Sequence, residues 1–186
     1  NGDTGFVDFL VKLYPTGKMS QHLASLRLGD GIKMKGPKGK LAYEGRGMFR
    51  IRRRGEDVSV RLSSVGMIAG GSGITPMFQI IQAVAADADD DLQIYLLFTN
   101  KTEADIILRH PLDHFVASRP NQIHVRYVLD TPPPTGWTGG VGFVTADMIQ
   151  DFLPPPAEDN MVFLCGPPPM LKKAFAPACK QLGYHP

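Results

Sequence analysis

A glycine-rich connection between an apolar stretch and an amphipathic one is the first place where this sequence could do chemistry. Its four residues are Gly70, Gly71, Ser72 and Gly73. Glycines let backbone N–H groups approach a phosphate, and the start of a helix adds unpaired donors and a positive dipole end. Pro76 stands where the fingerprint GxGxxG has its third glycine, and no Walker Gly-Lys-Ser/Thr follows. We expect a phosphate-binding turn with Thr75 capping the helix, against the alternative of ordinary strand-to-helix packing.

A second connection of this kind has the sequence Cys-Gly-Pro-Pro-Pro-Met. Its candidate residues are Cys165, Gly166, Pro167 and Met170. Cys165 ends a predicted strand, and open parallel sheets bind ligands beyond the carboxyl ends of their strands. No His or Asn is tied to this cysteine in sequence, so the pattern does not favour a nucleophilic thiol. An inert core cysteine is the alternative.

Polar residues at two further places could contact the same kind of ligand. Lys18, Met19 and Ser20 combine a cation, a hydroxyl and the start of a predicted helix, which suits a pyrophosphate, with a plain helix cap as the alternative. Thr99 and Asn100 end one predicted strand and Asp130 ends another, where each can contact a ribose or base or serve only in a turn. The five histidines show no ligand spacing, so we expect no metal site.

The elements that must position these residues follow two different sequence patterns. Before residue 56 the pattern predicts a strand over 5–14, a helix over 19–28 and strands at 32–35, 41–43 and 48–51. The polar run 52–57 breaks this pattern. From residue 65 strands are predicted at 65–69, 92–98, 123–129 and 161–165, alternating with helices at 74–86, 105–117, 145–152 and 170–182. We therefore predict an incomplete antiparallel β-barrel in residues 1–56 and a doubly wound parallel α/β nucleotide-binding domain in residues 57–186.

Composition excludes several classes of protein. The chain has 186 residues, 43% hydrophobic and 20% charged, which argues against disorder. No apolar stretch is long enough for a membrane-spanning helix. The two cysteines form no CxxC pair, which argues against a disulfide framework and against a structural zinc site. Residues 1–64 hold 13 Lys and Arg against 6 Asp and Glu, whereas the rest hold 7 against 12. A basic first part suits phosphates, an acidic protein or an anionic membrane.

Eight strings of the chain, in one order, resemble the ferredoxin-reductase-like flavoenzymes and, within them, the cytochrome b5 reductases. They are residues 17–23, 36–39, 65–77, 97–106, 128–130, 142–144, 153–156 and 165–170. The flavin module of plant and fungal nitrate reductases is similar to the chain to nearly the same degree, and the sequence does not separate the two. The resemblance implies that a barrel holds FAD and that the α/β domain holds NADH.

The resemblance also implies roles for individual residues. For FAD they are Lys18, Met19 and Ser20 at the pyrophosphate, Leu10 and Lys12 along the flavin, and Thr75 beside the glycine loop. For NADH they are Gly70, Gly71, Ser72 and Gly73 at the cradle, Asn100 and Asp130 near the adenosine half, and Cys165, Gly166, Pro167 and Met170 at the nicotinamide. Cys165 and Thr75 are the implied catalytic residues.

The implied activity is that of an NADH-dependent flavoprotein reductase. It passes a hydride from NADH to FAD and then single electrons to an acidic haem protein such as cytochrome b5, and we expect no nucleic-acid partner. The 2′-phosphate of NADPH is usually bound by an Arg side chain. The loop after Phe98 offers only Lys101, so we expect a preference for NADH over NADPH. The implied location is the cytoplasmic side of the endoplasmic reticulum or mitochondrial outer membrane, with a preceding segment as anchor.

Three departures from the family pattern keep other functions open. The flavin motif Arg-x-Tyr-Thr-Pro is absent, the loop between Tyr14 and Gly17 is short, and the C-terminal aromatic tail is missing. We therefore expect the chain to be truncated at both ends. A redox-inactive nucleotide-binding module is one alternative, and thiol chemistry at Cys165 is another.

Overall fold

The computed structural model describes residues 5–36, 38–53 and 55–184, so Pro37, Arg54 and both chain ends lie outside the described residues. Contacts within the chain divide it into two compact units, Asn1–Lys40 and Leu41–Pro186. The domain boundary that the sequence suggests after residue 56 stays a prediction.

The described part of the first unit contains a helix but no strand. Helix α1 (Lys18–Ser25) confirms the helix predicted at 19–28, although it ends sooner because Leu26 is already extended. The stretches 5–14 and 32–35, predicted as strands, form none. A strand needs a neighbour for its N–H and C=O groups, and none of the described residues before Leu41 supplies one. Alternation of apolar residues therefore predicted these strands wrongly.

Three antiparallel strands open the second unit: β1 (Leu41–Gly45), β2 (Met48–Arg53) and β3 (Glu56–Arg61). The strands predicted at 41–43 and 48–51 are confirmed. The described residues on either side of Arg54 pair instead of breaking the pattern, with Arg52 opposite Asp57 and Arg53 opposite Glu56. The side chains of Arg52 and Asp57 lie 3.2 Å apart on an exposed face. Opposite charges can thus face each other across two strands, which a search for apolar alternation does not detect.

Five parallel strands form the second sheet. They are β4 (Ser64–Gly70), β5 (Gln93–Asn100), β6 (Ile123–Leu129), β7 (Gly140–Val141) and β8 (Asn160–Cys165). Helices α2 (Ile74–Ala86) and α3 (Arg109–Ser118) cover one face, and α4 (Ala146–Phe152) and the C-terminal helical segment cover the other. Every residue of β4 is buried because both faces are covered. The predicted doubly wound fold is confirmed, and β7 is a strand that the prediction lacked.

The strand order β7-β6-β5-β4-β8 changes direction beside β4. From β4 the chain crosses through α2 to β5 on one side, whereas β8, the last strand, pairs with β4 on the other side. Open α/β sheets bind ligands in the crevice beyond the carboxyl ends of the strands at such a point. Because the two candidate loops follow β4 and β8, the topology brings them to this crevice.

The C-terminal helix predicted at 170–182 is divided into three pieces. They are α5 (Pro168–Met170), a π-helical turn (Leu171–Phe175) and α6 (Ala176–Gln181). Pro177 has no N–H for the carbonyl four residues earlier, and its ring crowds that carbonyl, so a widened turn relieves the conflict. The helix predicted at 105–117 is likewise a 3-10 turn (Glu103–Asp105) followed by α3, with Leu108 in the left-handed region between them at φ +58°.

Two tyrosines of the second unit donate their phenolic protons to carboxylates. Tyr43 donates to Asp90, and Tyr127 donates to Asp113 at 2.7 Å. Burial, and then the bond to the carboxylate, raises the pKa of each phenol well above its ordinary value of 10.0. The folded chain therefore holds these two protons more tightly than the unfolded chain does.

The contribution of these two phenols to the free energy of unfolding should consequently stay level up to about pH 10 and fall as the pH rises further, because only the unfolded phenols lose their protons there. Urea unfolding between pH 8 and pH 11.5 measures the decline. The Tyr43→Phe and Tyr127→Phe variants should each show a shallower decline than the wild type. A Tyr43→Phe variant with an undiminished decline would contradict this assignment.

Candidate functional site

The loops after β4 and β8 approach each other backbone to backbone. A Cβ atom built on Gly73 would lie within 3.0 Å of the carbonyl group of Cys165 and of the amide nitrogen of Gly166. Real Cβ atoms do not approach backbone atoms this closely, so only glycine fits at residue 73 while both loops keep their paths. The sequence identified the two loops separately, and the fold joins them into one site.

Gly70 makes the second contact between these loops. A Cβ atom on Gly70 would lie 2.9 Å from Sδ of Met170 and 3.1 Å from Cδ of Pro167. A Cβ atom on Gly166 would in turn lie 3.2 Å from the amide nitrogen of Gly70. The predicted residues of the second loop thus lie directly against the glycines of the first, and backbone forms much of the surface that a ligand would meet.

The glycine loop forms a 3-10 turn (Gly71–Gly73) that runs directly into α2, and Gly71 needs the freedom of glycine at φ +52°. The N–H of Ile74, the first residue of α2, donates to the carbonyls of Gly71 and Ser72, and Pro76 has no N–H. The prediction that Thr75 caps α2 is wrong, because Thr75 lies inside the helix and its hydroxyl donates to the carbonyl of Ser72 at 3.1 Å. The 3-10 turn itself has no side-chain cap, so its first N–H groups are the donors suited to an anion.

Polar side chains without a partner lie at the carboxyl ends of β5 and β6. The hydroxyl oxygen of Thr99, both amide atoms of Asn100 and one carboxylate oxygen of Asp130 are buried and bond to nothing in the described residues. Asn100 is only 4% exposed, and its backbone carbonyl accepts the N–H of Asp130 at 3.0 Å. Buried polar atoms are almost always paired, so this cluster fits a polar ligand such as the hydroxyl groups of a ribose.

One residue of this edge, Phe143, was missing from the predicted site, whereas Thr99 was predicted together with Asn100 and belongs to the unpaired cluster. Phe143 is 68% exposed shortly after β7, where the N–H of Gly142 donates to the carbonyl of Leu129 at 2.8 Å. An exposed aromatic ring at a nucleotide-binding edge can stack on a base.

Cys165 contributes a neutral thiol to the site. Burial raises the pKa of this thiol above its ordinary value. A reactive cysteine usually has a lowered pKa beside a cation or a helix start, which is the opposite shift. The geometry therefore supports an orienting role for Cys165 and argues against a nucleophilic one.

The predicted flavin residues other than Thr75 lie in the first unit. Four are exposed: Leu10, Lys12, Lys18 and Met19. Ser20 is buried, and its hydroxyl accepts the N–H of Tyr14 at 3.1 Å and donates to the carbonyl of Gly17 at 3.1 Å. The Ser20 side chain thus shapes the turn before α1, which leaves backbone N–H groups at the start of α1 as the donors suited to a phosphate.

Two family profiles match the sequence. The family described as Oxidoreductase FAD-binding domain matches residues 1–43, and the family described as Oxidoreductase NAD-binding domain matches residues 67–175. The second match runs from β4 to the π-helical turn, so it contains both loops of the crevice and the unpaired polar cluster.

Similar proteins cover nearly all of this chain. It is 47% identical to NADH-cytochrome b5 reductase 2 of Xenopus laevis, over 97% of this chain and 64% of that protein. It is 42% identical to human NADH-cytochrome b5 reductase 2, over 98% of this chain and 70% of that protein. The crystal structure of the cytochrome b5 reductase domain of Ulva prolifera nitrate reductase matches with a TM-score of 0.84 at 37% identity, covering 91% of this chain and 63% of that chain. The chain thus spans less than two thirds of the length of the Xenopus relative.

The contact at Gly73 leads to a stability test. Gly73→Ala should lower the free energy of unfolding by about 1–3 kcal/mol, because the new methyl group meets the backbone of Cys165, which cannot turn away. Urea unfolding measures this change. Gly31→Ala is the control, since a Cβ atom there would meet nothing within 4 Å, and it should change the free energy by less than about 0.5 kcal/mol. Equal stabilities for the two variants would refute the contact.

Proposed function

The chain belongs to the NADH–cytochrome b5 reductase family of FAD- and NAD-binding oxidoreductases, and on this premise we propose that it binds FAD and NADH and passes reducing equivalents to a haem protein. The observation that carries the proposal is the contact of the two loops at Gly73 and Cys165, at the carboxyl edge of the sheet. Such an edge is where open α/β sheets bind nucleotides.

The residues proposed to hold NADH follow the edge from one strand end to the next. Gly70, Gly71, Ser72 and Gly73 suit the diphosphate, because the glycines let the backbone N–H groups of this uncapped 3-10 turn approach a phosphate. Thr99, Asn100 and Asp130 suit the hydroxyl groups of the adenosine half, which would satisfy their unpaired atoms. Cys165, Gly166, Pro167 and Met170 suit the nicotinamide end.

The residues proposed to hold FAD lie mainly in the first unit. Lys18, Met19 and Ser20, at the start of α1, suit the pyrophosphate, and Leu10 and Lys12 are proposed to line the flavin. Thr75 is proposed to face the flavin side of the glycine loop. The match of residues 1–43 to a FAD-binding family supports this assignment.

When bound, NADH and FAD supply the hydride transfer and the single-electron transfers of such a reductase. The protein's own part is to orient the two cofactors and exclude water between them. This work needs no general acid or base. The raised pKa of Cys165 fits an orienting role, because a thiol that keeps its proton at neutral pH can lie beside the nicotinamide without attacking it.

The proposed electron acceptor is an acidic haem protein of the cytochrome b5 type. The excess of Lys and Arg in residues 1–64 supports it, because opposite charges steer association. The second candidate is the flavin module of a nitrate reductase, which the match to the Ulva prolifera domain favours. The cytoplasmic, membrane-associated location stays a prediction; none of the helices within residues 5–36, 38–53 and 55–184 combines the length and apolar character of a membrane span.

The full-length protein should be yellow, and NADH should bleach its visible flavin absorption in the absence of oxygen. Oxidised cytochrome b5 should then restore the colour, at a rate that falls as salt is added, because salt screens the attraction between the partners. Stopped-flow absorbance measures both steps. A protein that binds NADH without any bleaching would be the redox-inactive module, and a rate independent of salt would exclude docking through charge.

Asp130 should contribute to a preference of the protein for NADH over NADPH. Its carboxylate, with one buried and unpaired oxygen, would repel a 2′-phosphate. Asp130→Asn should therefore raise the ratio of kcat/KM for NADPH to that for NADH by about tenfold. Asp151→Asn, which removes an exposed carboxylate on α4, is the matched control and should leave the ratio unchanged. An unchanged ratio in Asp130→Asn would remove Asp130 from the adenosine site.

A further inference from the structure

A cluster of charged side chains lies beside the segment that joins β5 to α3. Nη1 of Arg109 donates to a carboxylate oxygen of Glu103, and Nε of Arg109 lies 3.7 Å from Oδ2 of Asp113, one turn further along α3. The guanidinium also lies over the ring of Tyr127 on β6, 5.6 Å from its centroid, and the Tyr127 hydroxyl donates to Oδ1 of Asp113 at 2.7 Å. Arg109 thus contacts three parts of the chain at once: the segment after β5, α3 and β6.

The segment between β5 and α3, residues 101–108, follows an unusual path. It contains the 3-10 turn Glu103–Asp105, and it ends at Leu108 in the left-handed conformation, with φ at +58°. A side chain disfavours this conformation, so contacts around the segment must hold it there. The hydrogen bond from Arg109 to Glu103 is such a contact, because it joins the start of the segment to the helix at its end.

This segment is also tied to the chain that follows β6. The backbone carbonyl of Asn100 accepts the N–H of Asp130 at 3.0 Å, and the backbone carbonyl of Lys101 accepts the N–H of Thr131 at 2.8 Å. The ends of β5 and β6 are therefore held together by their backbones at the point where the unpaired polar side chains lie.

Arg109 restrains both of these strand ends. Glu103 lies three residues after Asn100, and Tyr127 lies three residues before Asp130. A side chain that contacts both Glu103 and Tyr127 limits how far the two strand ends can separate. The distance between the amide of Asn100 and the carboxylate of Asp130 thus depends on Arg109.

A guanidinium suits this task better than an ammonium group. Its planar fork of N–H groups can reach two carboxylates, and its flat face stacks on an aromatic ring. The Arg109 and Glu103 side chains are 35% and 42% exposed, so water screens their ion pair and the pair adds little to the stability of the fold. The loss of Arg109 should therefore be seen in the placement of nearby groups more than in the free energy of unfolding.

We propose that Arg109 is a positioning residue for the adenosine half of NADH: it keeps Asn100 and Asp130 at the spacing that the nucleotide requires. This inference rests on the nucleotide-binding part of the proposed function, and all of its residues lie in the second unit. β4 separates β5 from β8, beside which the nicotinamide end is proposed to lie. Loss of Arg109 should therefore weaken nucleotide binding and leave the rate of hydride transfer at saturating NADH unchanged.

The test compares Arg109→Met with Arg119→Met in the full-length protein. Methionine has a long, unbranched side chain without charge, so both variants lose a guanidinium and keep much of its apolar stem. Arg119 follows α3 at its other end, where its guanidinium donates to the carbonyls of Ala85 and Asp87 at 3.1 and 3.2 Å. Its backbone carbonyl accepts the N–H of Ile123, so Arg119 lies beside the amino end of β6, opposite the crevice. Arg119→Met is thus the control for a merely structural loss at α3.

Glu103→Gln is a second test variant, because it removes the charge that Arg109 contacts from a side chain that is already partly exposed. Titration with ADP-ribose, which carries the adenosine half without the nicotinamide, measures nucleotide binding. Stopped-flow reduction of the flavin at saturating NADH measures hydride transfer. Amide hydrogen exchange, measured without added nucleotide, reports the bonds between the two strand ends.

In Arg109→Met the dissociation constant for ADP-ribose should rise about tenfold, with the rate of flavin reduction at saturating NADH within about twofold of the wild type. The amides of Asp130 and Thr131 should exchange faster, because the strand ends that pair them lose a restraint. Glu103→Gln should raise the dissociation constant by about threefold, since its amide oxygen still accepts a weaker hydrogen bond from Arg109. Arg119→Met should show none of these effects, whatever its free energy of unfolding.

Unchanged binding of ADP-ribose in Arg109→Met and Glu103→Gln would overturn the inference, and so would an equal weakening in Arg119→Met. Glu103→Gln decides the question alone if Arg109→Met does not fold. A wild type that NADH does not reduce would overturn the proposed electron transfer, but the ADP-ribose titration would still test Arg109, because binding requires no flavin reduction. A wild type that does not bind ADP-ribose would overturn both.

Discussion

The close approach of two backbones at Gly73 and Cys165 is the constraint on which the rest of the site depends. β4 and β8 are paired in register up to Ala69 and Cys165, so their ends are fixed relative to each other by the sheet itself. Only a residue without a side chain lets the chain leave β4, turn into α2 and still pass the end of β8. A ligand lying across this point would contact two helix starts and two strand ends at once. Neither loop alone could offer all four.

Sequence patterns predicted best the strands of the parallel sheet and the helices that cover it. The helix at 74–86 and the strand at 123–129 were predicted to the residue, because their apolar faces are determined by neighbours close in sequence. The strand predicted at 5–14 failed for the opposite reason: alternation shows that a stretch is able to pair, but a strand forms only with a neighbour. β3 was missed because four of its six side chains are polar, and the π-helical turn because Pro177 acts on residues that precede it.

Sequence alone could identify the two loops as candidates but not the contact between them. The two loops carry glycine and proline in runs that ordinary helices and strands avoid, so Gly70, Gly73 and Gly166 were recognisable one by one. Their contact depends on β8 pairing with β4, which is a property of topology. From the sequence, Asp90 belongs to an acidic connection that indicates an exposed, polar segment. In the structure Asp90 is buried, because Tyr43 of β1 lies beside it and donates to its carboxylate. The cap expected at Thr75 failed because α2 already begins at Ile74, so Thr75 lies inside the helix instead of preceding it.

The partly buried thiol of Cys165 also bears on resistance to oxidation. Peroxides attack the thiolate form of cysteine and convert it first to a sulfenic acid and then to irreversible products. Burial raises the pKa of Cys165, so little thiolate exists at neutral pH. Flavins take part in oxygen chemistry, and a cysteine proposed to lie beside one is exposed to its by-products. The same burial that prevents this residue from acting as a nucleophile thus also slows its oxidation.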